Sequence, residues 1–437
     1  MDWPILLIIF FGSLVVLMAT GLPVAFCFMV INIIGIVLLW GSQTGLDQFM
    51  FSIFGSVSKF SLLPLPMFIL MGEVLFHSQI APSMMNTLDK WLGRLPGRAS
   101  LLAVGSGVLI ATLTGVSMGS VAMLGSVLVP EMRKRGYAKS MTLGPILGAG
   151  GLAIMIPPSS LAVIVGAIGE ISIGKILLAI IVPGLLMAVI YILYILLRCW
   201  LQPRIAPSYD VSPSSFSEKL VDSARYIFPV AFIIFLVTGL ILLGVATPTE
   251  AAAAGALGCI ILAAFYRRLN WDLLKKAFKG TLLITVMIFM IVVGASAFSQ
   301  ILAFSGATTG ITAFAADLPV APIVIVIMMQ VIVIILGCFM DVVAILLITL
   351  PIFVPVIKIL GFDPVWFSVL MLINTEVAGI SPPFGLNLFV MKGLVPPDIT
   401  MGDIYRAGLP FCGLSLLAMA IIMIVPPIAL WLPSIMR

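Results

Sequence analysis

Apolar runs of near-span length recur from one end of this 437-residue chain to the other, and they fall into two series. A helix needs roughly 20 apolar residues to cross a bilayer. In the first series, runs at about 4–20, 22–40 and 60–76 predict spans. In the second, 228–244, 249–266 and 280–302 do the same. A polar or amphipathic stretch follows each triplet, at 77–98 and 303–319. Next come two apolar legs of about 16–20 residues around a turn containing Gly or Ser, at 99–136 and 320–360. Such legs are marginal for a full crossing, and the pattern predicts a re-entrant hairpin in each series. Two long runs close each series, at 141–168 and 175–198, then 366–395 and 404–432.

The two series align at the level of residues. "ATGLPVA" at Ala19 matches "ATPTEAA" at Ala246, and "FHSQI" at Phe76 matches "AFSQI" at Ala297. "GVSMGSVA" at Gly115 matches "GCFMDVVA" at Gly337, and "RGY" at Arg135 matches "LGF" at Leu360. "IPPSS" at Ile156 matches "SPPFG" at Ser381, and "ISIGKILLA" at Ile171 matches "ITMGDIYRA" at Ile399. The offset stays between 221 and 228 throughout. Six pairs in order with little drift predict a duplication. The repeats are expected over 1–200 and 226–437, with a polar cytoplasmic linker over 201–225.

Composition excludes a soluble fold: 62% of residues are hydrophobic and 9% charged, where a soluble domain has about a quarter charged. Asp2 stands where a cleaved signal would carry positive charge, so Pro4 to Thr20 is expected to be a retained span. The five cysteines (Cys27, Cys199, Cys259, Cys338 and Cys412) show no ligand or redox spacing and are expected as buried apolar side chains. Each series has five crossings plus a hairpin, or seven if the hairpin crosses fully. The odd number makes the two repeats face opposite ways. Followed along that alternation, all of the 22 Lys and Arg except Lys59, Lys175, Lys358 and Arg437 fall on one side. The positive-inside rule makes that side cytoplasmic and both termini periplasmic. The basic loops are therefore orientation signals rather than a nucleic-acid surface. The fold expected is an all-α polytopic membrane protein built from two inverted-topology repeats.

Each series interrupts a span with Pro-Pro. Pro157-Pro158 and Pro382-Pro383 remove amide donors and disfavour helix at the preceding residue. Non-helical backbone survives at membrane depth only when buried in protein or lining a wet cavity. Opposed repeats with matching broken helices mark secondary transporters, whose freed carbonyls hold a hard cation and whose new helix N-termini face an anion. "GAGG" at Gly148 to Gly151, and Ala378 with Gly379, allow a hairpin tip to approach closely. Carboxylates at membrane depth are costly and point to function. Asp341, at the turn of the second hairpin, and Glu376, before the second break, either ligate an ion or brace the site. Asn374, Thr375, Ser381 and Asn387 add neutral groups near the same depth. Ser117 and Ser159 complete the candidate substrate-binding set with Asp341, Asn374, Thr375, Glu376 and Asn387. Glu73 and His77 close the third span and are expected at the interface.

"LTGVSMGSVAMLGSVLVPEMRKRGY" (Leu113 to Tyr137), "IPPSSLAVIVG" (Ile156 to Gly166) and "SPPFGLNLFV" (Ser381 to Val390) resemble the large membrane subunit of tripartite ATP-independent periplasmic (TRAP) transporters. The resemblance covers essentially the whole chain. It implies Na⁺-coupled uptake of a small organic anion across the bacterial inner membrane. It also implies two partners, a periplasmic substrate-binding protein and a small four-helix membrane subunit, expected here as a separate chain. It further implies an elevator: a scaffold of early spans, and a mobile transport domain carrying both hairpins and both broken helices. By resemblance, one Na⁺ site uses backbone carbonyls of Ala111 and Thr114 with Ala153, Ile156 and Pro158. The other uses Gly337 with Ala378, Ser381 and Phe384. Relatives often carry Gly where this chain has Ala378, Thr where it has Ser381, and Ser-Ser at Val116-Ser117.

Two other readings fit parts of the chain. "GVSMG" at Gly115 fits the G-x-S-x-G elbow of serine hydrolases, with Ser117 as nucleophile. That chemistry needs a base, and the single histidine is His77. A stand-alone divalent-anion/Na⁺ symporter or exchanger of the same superfold is the second. A channel would need a charged ring or filter repeat, and none is present in the sequence.

Overall fold

The computed structural model describes residues 3–40, 42–93, 95–114, 117–207, 215–338 and 340–436. Within them the regular elements are helices. The first half runs α1 (Trp3–Ala19), α2 (Val24–Trp40), α3 (Ser42–Val57), α4 (Pro64–His77), α5 (Ile80–Leu92), α6 (Arg98–Thr114), α7 (Ser117–Lys134), α8 (Lys139–Met155), α9 (Ser160–Gly169), α10 (Ile173–Ala179) and α11 (Ile181–Leu201). The second runs α12 (Phe216–Asp222), α13 (Phe228–Leu242), α14 (Pro248–Phe265), α15 (Trp271–Phe304), α16 (Ala307–Asp317), α17 (Pro322–Gly337), α18 (Val342–Ile359), α19 (Pro364–Ile380), α20 (Leu386–Leu394), α21 (Met401–Ile424) and α22 (Pro427–Ser434).

Local chemistry sets the helix ends. Thr247 and Glu250 form a reciprocal capping box at the start of α14, and Thr400 and Asp403 do the same for α21, each satisfying two amides that the first turn leaves open. Asp341 and Asp363 accept amides at the starts of α18 and α19.

Seven described helices are long and apolar enough to cross a membrane, and the α8–α9 pair, bent by 46°, adds an eighth. The chain is an all-α, multi-span membrane protein. Leu38, Phe54, Phe235 and Phe265 project outward, each more than 70% exposed, as side chains do when lipid is the solvent. Some bounds differ from the sequence pattern. Residues 42–57, between the expected spans, form α3, because the run carries apolar residues among its polar ones. The expected span 280–302 extends back to Trp271, where Asn270 caps the helix by accepting the Leu273 amide. The expected span 404–432 divides at Pro426 into α21 and α22. The expected linker becomes helical at Phe216 and leads through a π turn into α13.

Two groups of helices emerge from the packing. In one, α15 lies against α2, α3 and α4, and α14 against α4 and α13. In the other, α8 packs on α6, α7, α11 and α21, and α19 packs on α8, α17 and α21. The α18 helix bridges them through α15 and α9. Loops assigned to the basic side come together at one end. Arg133 pairs with Asp398 at 3.0 Å and Lys139 with Asp403 at 2.8 Å, and the Ala138 amide bonds to the Ile205 carbonyl. Nearby in sequence, Lys90 on the amphipathic α5 reaches Asp222 and Glu218. Those carboxylates, Asp222 foremost, hold its ammonium above the ordinary lysine range.

Candidate functional site

Both Pro-Pro pairs fall where helices break, and both Pro-Pro bonds are cis. Ile156 ends α8 in extended backbone, and Ser159 accepts the Ala162 amide to begin α9. Ser381 ends α19, also extended, and α20 begins after Gly385. A side chain at Gly385 would meet the Gly379 and Ser381 carbonyl oxygens at 2.7 and 2.8 Å, so only a glycine lets this turn close.

Each hairpin lies beside a broken helix in parallel register. In the first half, Ser100 donates to the Met141 carbonyl at 2.6 Å, and Gly107 lies against Ala149. One turn on, the same register brings Ala111 level with Ala153. In the second half, Asn374 donates to the backbone and side-chain oxygens of Gln330, both at 2.8 Å, and Gly337 lies against Ala378. Cys338 then donates to the Pro382 carbonyl. The second hairpin leg therefore ends at a Pro-Pro break. The contact at Gly337 is tight: a Cβ there would sit 2.4 Å from that of Ala378.

Ser117, Asp341, Thr375 and Asn387 line one cavity, together with Ser160 and Ile288. Ser117 opens α7 and accepts a hydrogen bond from the Asn387 amide of α20 at 2.7 Å. Asp341 begins α18 by accepting the Val343 amide at 2.9 Å. The far wall is α15, through Ile284, Met287 and Ile288. The cavity thus touches both hairpins, both breaks and the longest helix of the other group. Two further crevices lie along α15, one near Asp272 and Lys276, the other near Ser296 and Ser299.

Three residues of the candidate substrate set do not line this cavity. Asn374 turns to Gln330 on α17. Ser159 is buried and occupied in capping α9. Glu376 is fully buried, accepting a hydrogen bond from the Tyr191 hydroxyl at 2.7 Å, and Tyr191 also meets Ser415 at 2.7 Å. Consecutive helix positions are about 100° apart, so Asn374, Thr375 and Glu376 must face three ways, and Thr375 takes the cavity.

Of the candidate Na⁺ carbonyls, Gly337, Ala378 and Ser381 are drawn together, the Ser381 hydroxyl donating to the Ala378 carbonyl at 3.3 Å. Phe384 is half-exposed at the same break. Ala153, Ile156 and Pro158 are buried at the first break. Ala111 and Thr114 stand in the last turn of α6. Gly115 and Val116, part of the serine-hydrolase pattern and of the hairpin tip, lie outside the described residues. His77 is paired with Glu73 one turn back on α4 at 3.3 Å. The Ser117 hydroxyl bonds an amide, not a base.

Comparison with known proteins decides the family. Residues 11–428 match the family described as "Tripartite ATP-independent periplasmic transporter, DctM component". The chain belongs to the DctM family. It is a large permease component of a TRAP transporter, a transport protein and not an enzyme. It is 31% identical to the C4-dicarboxylate TRAP transporter large permease protein DctM of Pseudomonas aeruginosa, over 87% of this chain and 88% of that one. It is 27% identical to the ectoine TRAP transporter large permease protein TeaC of Halomonas elongata, over 96% and 97%. The isethionate TRAP transporter permease protein DctMQ of Oleidesulfovibrio alaskensis is 29% identical over 97% of this chain and 66% of its own length. Among solved structures, the fold resembles the Neisseria gonorrhoeae MtrF transporter, with a TM-score of 0.63 at 16% identity over 90% of this chain and 84% of that one. It also resembles the Alcanivorax borkumensis YdaH transporter, at 0.56 and 16% over 87% and 88%.

Proposed function

We propose that this DctM-family chain carries a small organic anion into the cytoplasm with Na⁺, by elevator-type alternating access. The anion is handed over by a periplasmic substrate-binding protein. The chain sits in the bacterial inner membrane beside a small four-helix subunit, with both its own termini periplasmic. The observation that carries the reading is the cavity where Ser117, Asp341, Thr375 and Asn387 meet between two hairpin ends and two broken helices. Interrupted helices that meet at membrane depth are the arrangement secondary transporters use to hold ions and substrate.

The ligand types support this reading. Amide, hydroxyl and helix-terminus donors suit a carboxylate or sulfonate. Gly337, Ala378 and Ser381 meet at the second break, and their backbone carbonyls are hard oxygen donors, which suit an alkali cation. Relatives named for C4-dicarboxylate, isethionate and ectoine make small carboxylates and sulfonates the substrates to try first. The repeat offset supports opposed halves. Gly151 and Glu376, separated by the same 225 positions as the two Pro-Pro pairs, pack against each other. Contacts between equivalent positions are what an axis relating two repeats requires. The helix group of α2, α3, α4, α14 and α15 then serves as scaffold, and the group around α8 and α19 moves.

The test is uptake into proteoliposomes holding this chain and its small subunit. Uptake should need both the binding protein and an inward Na⁺ gradient. Full-rate uptake of free substrate without the binding protein would favour the stand-alone symporter instead.

A further inference from the structure

Three cavities are strung along one helix. The 34 residues of α15 run unbroken from Trp271 to Phe304. Its first turns line the crevice that holds Asp272, Leu273 and Lys276. Ile284, Met287 and Ile288 wall the cavity of Ser117, Asp341, Thr375 and Asn387. Ala295, Ser296, Ser299 and Gln300 line the third, a space of about 200 Å³.

The spacing is regular. Leu273, Ile284 and Ala295 follow one another at 11 positions, and Ile288 and Ser299 are also 11 apart. At 100° per residue, 11 positions fall within about 20° of three full turns, and at 1.5 Å per residue they rise about 16 Å. The cavities therefore meet one face of α15, stacked three turns apart.

The third cavity has two unlike walls. One belongs to the proposed scaffold: Ser296, Ser299 and Gln300 of α15, with Lys59, which follows α3. Helix α3 packs on α15. Hydroxyl, amide and ammonium donors of this kind suit a carboxylate or sulfonate. The other wall includes Ile168 and Glu170, at the end of α9 beyond the first break. The Glu170 carboxylate repels an anion while it faces this space. A slide of three turns along α15 toward Phe304 would take Glu170 out of the cavity and bring Thr375 and Asn387 opposite the donors. In the middle cavity the α15 wall is Ile284, Met287 and Ile288, which offer cargo no directional bond, so nothing on that wall holds it back from release.

We infer that the cavity of Lys59, Ser296, Ser299 and Gln300 is a second cargo station, which binds the carboxylate or sulfonate group of the substrate when the moving helices stand three turns nearer Phe304. This rests on the proposed elevator and gives it a track, a step length and a receiving site.

The test is paired-cysteine cross-linking of the complex with its small subunit in lipid, the five native cysteines having been replaced. Thr375→Cys is combined with Ile288→Cys or with Ser299→Cys, and the bifunctional thiol reagent is shorter than the three-turn step. Both pairs should cross-link, because Thr375 faces each station in turn. Ile284→Cys and Ala295→Cys, the same distance apart, repeat the comparison where a first pair does not assemble. A Ser299 pair that never cross-links, in a protein whose Thr375→Cys is labelled from both faces of the membrane, would overturn the station and leave alternating access standing. Absence of both results would overturn both. With labelled succinate and isethionate as probes, Ser299→Ala and Gln300→Ala should each raise the KM for uptake roughly two- to tenfold, the effect of losing one hydrogen bond. Wild-type KM in both variants would remove these donors from the cargo and overturn the receiving site.

Discussion

The Asn387 amide donates to the Ser117 hydroxyl across 2.7 Å, joining the tip of the first hairpin to the helix that restarts after the second break. The residues are 270 positions apart, so this one bond couples the two halves at the wall of the cavity. A single hydrogen bond of this kind contributes about 0.5–1.5 kcal/mol net. Ser117→Ala and Asn387→Ala should each weaken apparent substrate affinity by roughly two- to tenfold. The double variant should lose less than the sum, measured as KM for uptake in a double-mutant cycle. Additive losses would mean the pair does not act as a unit.

Asp341 has two jobs that substitution can separate. It caps α18 through the Val343 amide and it faces the cavity. Asp341→Asn keeps a capping oxygen and removes the charge, whereas Asp341→Ala removes both and costs a further 0.5–2 kcal/mol or so of helix stability. Both variants should impair Na⁺ dependence more than substrate affinity, with Asp341→Ala also lowering the melting temperature. Wild-type Na⁺ activation in Asp341→Asn would show that the charge plays no part in coupling.

At Gly337 the parallel legs nearly touch. Gly337→Ala puts two methyl groups 2.4 Å apart, and overpacking of this kind costs about 1–3 kcal/mol. The variant should melt several degrees below wild type in detergent. Ala378→Gly should restore most of the loss. Failure of that rescue would move the cause away from this contact.

His77 pairs with Glu73 on one face of α4, and the Ser117 hydroxyl bonds the Asn387 amide instead. His77→Gln should leave uptake within about twofold of wild type across neutral pH, because the pair adds a partly exposed contact worth little. A collapse of uptake would return a base or proton role to His77.

How far the sequence predicted this arrangement depends on what each feature reports. Hydropathy placed the spans, and Pro-Pro placed both breaks within a residue or two, because chain chemistry forces a helix to end there. Asp341 lines the cavity from the hairpin turn where the sequence places it, and Ser117 lines it from the first turn of α7. The stretch Asn374-Thr375-Glu376 did not resolve, since three adjacent helix positions face three neighbours, and only packing says which neighbour is the cavity. Tyr191 and Ser415 went unnoticed for a related reason. Each is a polar residue in a long apolar span, and hydropathy alone does not set it apart from its neighbours. The α3 helix was missed because its polar residues resemble a loop when lipid-length runs are sought.

The central claim is that the cavity bounded by both hairpins and both breaks is where cargo sits, open in turn to each compartment. Thr375→Cys, with the five native cysteines replaced, tests it most directly through a membrane-impermeant thiol reagent applied from either face of oriented vesicles. The account predicts labelling from both faces, slowed when substrate and Na⁺ are present together. Labelling from one face alone under every condition, with no protection by cargo, would contradict it.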